Sequence, residues 1–271
     1  MVVRNSRQIS NPQRSGQNFL TDDAILQRIV DHAVLREDET ALEVGAGTGN
    51  LTALIRQYAS RVIAVEKDRR LVNTLRKRFQ RNDNVEIIEG DILKIPLPAF
   101  DKVVASPPYS ISSRLIFLLL QKKFNSMTLV LQKEFALRLA AEAGSADYGR
   151  LTVAVNHKAD VELLDFVPRT AFRPIPKVDS QIVRIVPKAS IVPVNEVFLD
   201  QMMRYLFSQR RRALRGVLRR AAESNAKESL ERIIEPKDLL KRRIFQLTPP
   251  EFENLSNLLY PQRKILKLLN K

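Results

Sequence analysis

Three glycines in the stretch LEVGAGTGNLT have the spacing of a loop that approaches a ligand with its backbone. Gly45, Gly47 and Gly49 keep this glycine turn (residues 45–49) free of side chains between a predicted strand and a predicted helix. The two candidate ligands are a dinucleotide and S-adenosylmethionine. A dinucleotide turn requires a glycine three positions after the second one, where this chain has Asn50. The spacing, with Glu43 just before it, therefore counts against the dinucleotide.

Two acidic residues close the next two predicted strands along the chain. Glu66 follows Gly45 by 21 residues, where a carboxylate can accept hydrogen bonds from both hydroxyls of a ribose. Asp91 stands where it can meet the amino group of an adenine. Two acids facing one glycine turn describe a pocket for a nucleoside without phosphates, which favours S-adenosylmethionine over NAD. The alternative is that both acids are helix caps or surface charges.

The fourth predicted strand ends in Ser106-Pro107-Pro108-Tyr109, at the edge where α/β sheets bind their ligands. If a methyl group is transferred to an exocyclic amine of a base, the amine must pyramidalise, and acceptors for its hydrogens favour that geometry. The Ser106 hydroxyl and the Pro107 carbonyl can be these acceptors. Tyr109 offers a ring on which a flipped base can stack. No general base is required, because the amine becomes acidic once methylated. An ordinary proline turn is the alternative.

The elements that must position these residues follow an alternating pattern. Short apolar runs and amphipathic stretches alternate over residues 40–132, as in a parallel sheet covered by helices. The predicted strands are 40–45, 61–66, 85–90, 102–106 and 127–132, and the predicted helices are 48–58, 68–80, 112–122 and 133–143. Residues 151–167 and 178–186 are β-rich and are expected to complete the sheet, with the proline-rich loop 172–177 at its edge. The predicted fold class is α/β, a doubly wound, Rossmann-like methyltransferase domain.

Beyond the sheet, the pattern changes. Residues 188–195 are typical of a linker, and residues 196–271 are helical in pattern without a clear strand. We therefore expect two domains, a methyltransferase domain that binds S-adenosylmethionine over residues 1–190 and a small, all-α, basic RNA-binding domain over residues 191–271.

The net charge of +15 is the strongest compositional signal, because such an excess attracts a polyanion and favours nucleic acid as the partner. Residues 191–271 hold 17 Lys and Arg against 9 Asp and Glu, so positive charge is about three times denser there than in the rest. We expect the arginine segment (residues 209–220) to be one helix. Its six arginines favour a phosphate-binding stripe over a solvated face, and they are Arg210, Arg211, Arg212, Arg215, Arg219 and Arg220.

Other features of the composition exclude several classes of protein. The chain has no cysteine, which rules out disulfides and thiolate metal sites and suits a reducing cytosol. It has two histidines, His32 and His157, too far apart in sequence to favour a histidine metal site or a Ser-His-Asp triad. No apolar run has the length of a membrane span, and residues 1–15 lack the apolar stretch of a secretory signal. We expect a cytoplasmic protein that needs no metal.

With these motifs in view, the chain resembles the KsgA family of small-subunit rRNA adenine dimethyltransferases from about Arg14 to the C-terminus. The motifs that carry the resemblance, beside LEVGAGTGNLT, are GQNFL (16–20), EGDIL (89–93), SPPYSISS (106–113), LQKEFALRL (131–139), YGRLTV (148–153), FRPIPKVDS (172–180) and FSQRRRALR (207–215). Related rRNA methyltransferases that confer macrolide resistance share the first motifs and match the later ones less well.

The resemblance implies roles for particular residues. Asn18 and Leu20 would help to close over S-adenosylmethionine, and Phe172 would face the target base opposite Tyr109. It also implies methylation of two adjacent adenosines in the 3′-terminal hairpin of small-subunit rRNA, each twice, late in subunit assembly. We expect a monomer that acts on the 30S-type subunit. An rRNA hairpin loop suits this chemistry, because its unstacked bases are accessible.

One motif departs from the family. The family has Asn-Leu-Pro-Tyr where this chain has Ser106-Pro107-Pro108-Tyr109. An asparagine carbonyl reaches further and only accepts, whereas a serine hydroxyl is shorter and donates or accepts. Ser-Pro-Pro-Tyr also resembles the motif of DNA cytosine amino-methyltransferases. Two alternatives therefore stay open: an RNA-binding assembly factor with weak or lost catalysis, and a DNA amino-methyltransferase.

Overall fold

The computed structural model describes residues 18–222 and 232–266. Residues 14–17, where the family resemblance begins, lie outside the described residues, as do 223–231 and 267–271 of the predicted helical region. The strands are β1 (Phe19–Leu20), β2 (Thr40–Val44), β3 (Arg61–Glu66), β4 (Val85–Glu89), β5 (Lys102–Ala105), β6 (Ser126–Gln132), β7 (Ala159–Val167), β8 (Phe172–Arg173) and β9 (Ser180–Pro187). The α-helices are α1 (Asp23–Ala33), α2 (Asn50–Ile55), α3 (Arg69–Arg78), α4 (Ser112–Leu119), α5 (Lys133–Leu139), α6 (Arg150–Asn156), α7 (Glu196–Phe207), α8 (Leu214–Ala221) and α9 (Pro249–Leu259).

A seven-stranded sheet has the order β4-β3-β2-β5-β6-β9-β7. Strands β4, β3, β2, β5 and β6 pair in parallel, and the chain reverses its direction of winding between β2 and β5. Such a reversal opens a crevice at the carboxyl ends of the strands, which is where doubly wound sheets bind ligands. The predicted α/β fold class is confirmed, and each of the five predicted parallel strands is correct to within one residue. The four predicted helices are present but end a few residues early.

The prediction of β structure was wrong for the first part of residues 151–167. Residues 150–156 form α6, and the strand begins only at Ala159. The Gly149 N–H donates to the Thr152 hydroxyl, which in turn donates to the Arg138 carbonyl, so the helix start is fixed by tertiary contacts. Thr152 and Val153 are also fully buried. Packing here overrides the β propensity of the threonine and valines.

The arginine segment is not one helix, as the sequence led us to expect. Helix α7 ends before it, and α8 begins only at Leu214, the sixth of its twelve residues. The carbonyls of Arg210 and Arg212 accept hydrogen bonds from Phe245 and Ile244, both at 3.1 Å, and the Leu214 N–H donates to the Arg242 carbonyl. These long-range bonds use the backbone groups that a continuous helix needs for itself.

The chain divides into two compact units, one of residues 1–133 and 164–184, the other of residues 134–163 and 185–271. Each has its own core of buried apolar side chains. The sequence predicted a boundary at residue 190, with the cofactor bound before it and RNA bound after it. The two units do not test where the cofactor and RNA bind, so this division stays a prediction. Within the described ranges, none of the helices is both long and apolar enough to span a bilayer.

Candidate active site

A cleft of about 1160 Å³ lies in the first unit, along the carboxyl ends of β2, β3, β4 and β5. Parallel strands end at the same edge of a sheet, so residues far apart in sequence meet there. Six residues that the sequence predicted for the site line this cleft: Asn18, Gly45, Gly47, Glu66, Asp91 and Ser106.

The glycine turn joins β2 to α2 with all three glycines in the left-handed region. Gly45, Gly47 and Gly49 have φ angles of 72°, 58° and 84°, which other residues adopt only at a cost. A Cβ on Gly47 would lie 2.9 Å from Phe19 Cδ1, and one on Gly45 would lie 3.2 Å from the Pro108 ring. A side chain at Gly45 or Gly47 is therefore disfavoured by space as well as by backbone conformation.

Glu66 is buried at the end of β3, where backbone N–H groups hold its carboxylate. Oε2 accepts from the Gly47 N–H at 2.9 Å, and Oε1 accepts from the N–H groups of Lys67 and Asp68, each at 2.8 Å. A carboxylate offers about four acceptor positions, and three are used here. About one position, on Oε2, is left for a ligand hydroxyl, rather than the two that the sequence suggested.

Asp91 follows β4 and is partly exposed in the cleft. Its Oδ2 lies 3.0 Å from the Lys67 ammonium, and its Oδ1 accepts from the Leu93 N–H at 3.1 Å. The hydrogen bond from Lys67 and that from Leu93 hold the pKa of Asp91 below its ordinary value. The group is therefore an ionised acceptor at neutral pH, as recognition of an adenine amino group requires.

Glu43 is a second buried acid, two residues before the glycine turn. It is 2% exposed, and the Thr52 hydroxyl of α2 donates to its Oε2 at 2.5 Å. Burial raises its pKa to about 8, and the negative charge of Glu66 adds to the rise. At neutral pH Glu43 therefore carries a proton, while it links β2 to α2 on the two sides of the glycine turn.

The chain leaves β5 through Ser106 and the two prolines and enters a short 3-10 helix, Tyr109–Ile111. Within the described residues, no hydrogen bond reaches the Ser106 hydroxyl or the Pro107 carbonyl. Ser106 lines the cleft, whereas Pro107 is buried and, like Tyr109, is not among the residues that line it. Tyr109 is half-buried, and its hydroxyl lies 2.6 Å from the buried Ser180 Oγ. The ring is therefore anchored at its polar end, and burial raises the pKa of its hydroxyl.

Two predicted site residues lie in the core of the first unit instead of along the cleft. Phe172 is 1% exposed and Leu20 is 6% exposed, and they are paired residues of β8 and β1. Phe172 therefore does not face the cleft in this structure. Its predicted stacking role requires the ring to leave the core and stays a prediction. Leu20 supports the cleft indirectly, because β1 holds Phe19 against the glycine turn.

In the second unit, the arginines of the arginine segment fall into two groups. Arg210 is half-buried, donates to the carbonyls of Ser145 and Ala146 at 3.3 and 3.1 Å, and lies over the Phe245 ring. These contacts give it a structural role within the unit. The remaining five are exposed: Arg211, Arg212, Arg215, Arg219 and Arg220.

Sequence reasoning missed three residues that shape the site. Phe19 and Ser180 lie inside motifs that carry the family resemblance, but a phenylalanine ring and a single serine hydroxyl do not by themselves indicate chemistry. Lys67 follows Glu66 directly, and its pairing with Asp91 depends on strands β3 and β4 being neighbours. That adjacency was the signal that could have revealed it.

Comparison with known proteins places this geometry among RNA-modifying enzymes. Residues 9–256 match the family model described as ribosomal RNA adenine dimethylase. A probable ribosomal RNA small subunit methyltransferase A from Methanosarcina mazei is 41% identical over 247 residues, which covers 90% of this chain and 91% of that protein. A dimethyladenosine transferase from Plasmodium falciparum superposes with a TM-score of 0.82 at 31% identity, over 90% of this chain and 98% of the other. The 23S rRNA methyltransferase ErmE superposes with a TM-score of 0.70 at 27% identity, over 89% of this chain and 99% of the other.

Proposed function

The chain belongs to the ribosomal RNA adenine dimethylase family, and we propose that it transfers methyl groups from S-adenosylmethionine to the exocyclic amine of adenosine in small-subunit rRNA. The observation that carries this proposal is the cleft that joins the glycine turn, two carboxylates and the end of β5. The finer expectation is two adjacent adenosines of the 3′-terminal hairpin, each methylated twice. We also propose that the protein acts in the cytoplasm, as a monomer, on the 30S-type subunit.

The cleft residues suit S-adenosylmethionine. Phe19 and Pro108 leave little room for a side chain at Gly47 or Gly45, and the backbone at these two glycines borders the cleft. Glu66 keeps an acceptor position for a ribose hydroxyl, and Asp91 is an ionised acceptor for an adenine amino group. When bound, S-adenosylmethionine supplies an electrophilic methyl group on a sulfonium.

The residues after β5 are proposed to prepare the amine that accepts the methyl group. The Ser106 hydroxyl and the Pro107 carbonyl accept its two hydrogens, which directs the nitrogen lone pair out of the plane of the base. Tyr109, anchored through Ser180, provides a ring of fixed orientation for stacking. The proton released after transfer passes to solvent, because a methylated amine is acidic.

The test uses small subunits from cells that lack the modification, incubated with purified protein and labelled S-adenosylmethionine. We expect label in N6,N6-dimethyladenosine of the 3′-terminal hairpin, identified by mass spectrometry after nuclease digestion. Tyr109→Ala serves as the control, because it removes the proposed stacking ring and leaves in place the residues proposed to bind the cofactor. Absence of dimethyladenosine with the native protein would refute the proposal, and label on duplex DNA would favour the DNA amino-methyltransferase instead.

The Ser106 hydroxyl favours one alternative function, an assembly factor that binds the subunit with weak catalysis. A serine oxygen is closer to the backbone than an asparagine oxygen. Catalysis therefore depends on whether the serine oxygen reaches the amine. Ser106→Asn separates the two cases. If the native protein binds the subunit without methylating it and Ser106→Asn gains activity, the assembly factor is the correct description. Methylation by the native protein, with equal or lower activity in Ser106→Asn, supports the enzyme.

A further inference from the structure

The acidic side chains of the cleft all have partners within the chain. Backbone N–H groups hold Glu66. Asp68 forms an ion pair with Arg70 at 2.7 Å and caps α3. Asp91 is paired with Lys67 at 3.0 Å. Asp68 and Asp91 are therefore paired with cations of the chain, whereas Glu66 is held by neutral N–H groups.

Two cations that line the same cleft have no such partners among the described residues. Lys94, after β4, and Arg114, in the first turn of α4, are both exposed. Over the ranges that the structure describes, neither takes part in a side-chain hydrogen bond or an ion pair, although the charge of Lys94 contributes to the low pKa of Asp91. The position of Arg114 is also unfavourable for its own helix, because the first turn is the positive end of the helix dipole. Lys94 and Arg114 thus leave two positive charges at the cleft without a partner among the described residues.

This charge does not suit the cofactor. S-adenosylmethionine carries a sulfonium and an ammonium against one carboxylate, so further cations beside it are repelled. Phosphodiester groups are the ligands that exposed lysine and arginine bind best in nucleic acids. Ser110 and Ser113, which flank the start of α4 beside Arg114, also line the cleft and are exposed. Their hydroxyls are donors that phosphate oxygens accept.

We propose that Lys94 and Arg114, with the hydroxyls of Ser110 and Ser113, bind phosphates of the rRNA strand next to the target adenosine. The inference rests on the proposed function and extends it, because it gives the first unit its own RNA contacts. Ser106 lines the same cleft, so these residues position the strand at the place where the amine is held. RNA binding is then shared by the cleft and the arginine segment, and is not left to the arginine segment alone.

The experiment compares the double variant Lys94→Gln/Arg114→Gln with the native protein and with Lys122→Gln/Lys123→Gln. The control removes the same charge from two exposed lysines just after α4, outside the residues that line the cleft. Binding to unmodified small subunits is measured as a function of salt, and cofactor affinity is measured by calorimetry. We expect the Lys94/Arg114 variant to bind RNA about tenfold more weakly and its salt slope to fall by roughly 0.7 for each phosphate that is no longer neutralised. Cofactor affinity and melting temperature should not change.

The outcomes separate this inference from the function on which it rests. If the native protein neither binds nor methylates the subunit, the proposed function itself is wrong and the inference is overturned with it. If the native protein is active and the two double variants bind RNA equally, only the inference is overturned. A matching loss of cofactor affinity in Lys94→Gln/Arg114→Gln would also overturn it, because the two cations would then belong to the cofactor site.

Discussion

The glycine turn and the arginine segment organise their polar groups in opposite ways. Around the glycine turn, buried carboxylates are held by backbone N–H groups and by the Thr52 hydroxyl, so each group has one geometry. In the arginine segment, Arg210 donates to two backbone carbonyls and Arg220 donates to Gln209, and five of the six arginines, Arg220 among them, are exposed. Function that depends on the first region should be lost through single substitutions. Function that depends on the second should be lost in small steps, because several charges share it.

The largest expected effect is that of Glu66→Gln. The amide NH₂ must face either the Gly47 N–H or the N–H groups of Lys67 and Asp68, so one donor opposes another. A buried unsatisfied donor costs about 1–3 kcal/mol, and the ribose hydroxyl has one acceptor fewer. We expect the affinity for S-adenosylmethionine, measured by calorimetry, to fall by about 100-fold. The matched control is Glu86→Gln on β4, a partly exposed carboxylate that should leave affinity unchanged. Unchanged affinity in Glu66→Gln would show that the glycine turn does not depend on this geometry.

The next largest effect is expected for Glu43→Gln. Its effect on the free energy of unfolding should depend on pH. The pKa of Glu43 is raised from 4.5 to about 8 in the folded protein, so its proton stabilises the fold fully below pH 4.5, and this contribution is lost as pH rises through 8. Relative to Glu43→Gln, the native protein should therefore lose a few kcal/mol of stability between about pH 5 and pH 9. Urea unfolding at several pH values measures the difference. A difference that stays constant with pH would mean that Glu43 is ionised throughout.

The glycine turn also shows what could be predicted from the sequence. The cleft residues Gly45, Glu66, Asp91 and Ser106 each follow or close a strand, and parallel strands place such positions together by geometry. No long-range contact was needed for that prediction. Phe172 was different, because its burial depends on the pairing of β8 with β1, 152 residues earlier in the chain.

The prediction of one helix over the arginine segment was wrong for the same physical reason, a contact with a distant part of the chain. Local sequence indicated a helix over residues 209–220, but the backbone bonds of Arg210 and Arg212 go to residues 245 and 244. The β-rich stretch at 151–156 became α6 through hydrogen bonds of Thr152 with Gly149 and Arg138. In each case a bond to another part of the chain decided between two local structures that the sequence alone allowed.

Arg210→Ala tests the division within the arginine segment. The substitution removes two hydrogen bonds to the carbonyls of Ser145 and Ala146 and the packing against the Phe245 ring. We expect the free energy of unfolding to fall by about 2 kcal/mol, measured by urea unfolding followed by circular dichroism. The matched control, Arg211→Ala, removes an exposed arginine one position away and should leave stability within about 0.5 kcal/mol of the native value. Equal losses in the two variants would contradict the structural role of Arg210.

The smallest effect is expected for Arg211→Gln, measured as affinity for the unmodified small subunit. Arg211 is exposed, so the substitution should not alter folding or the affinity for S-adenosylmethionine. If its guanidinium binds one phosphate, the affinity should fall about threefold and the salt slope by roughly 0.7, because one set of counterions is no longer released. The same substitution at Arg212, which is also exposed, should have a similar effect. Salt slopes equal to that of the native protein would identify these arginines as a solvated surface. RNA recognition would then depend on the cleft of the first unit, where Lys94 and Arg114 supply the positive charge that the cofactor does not need.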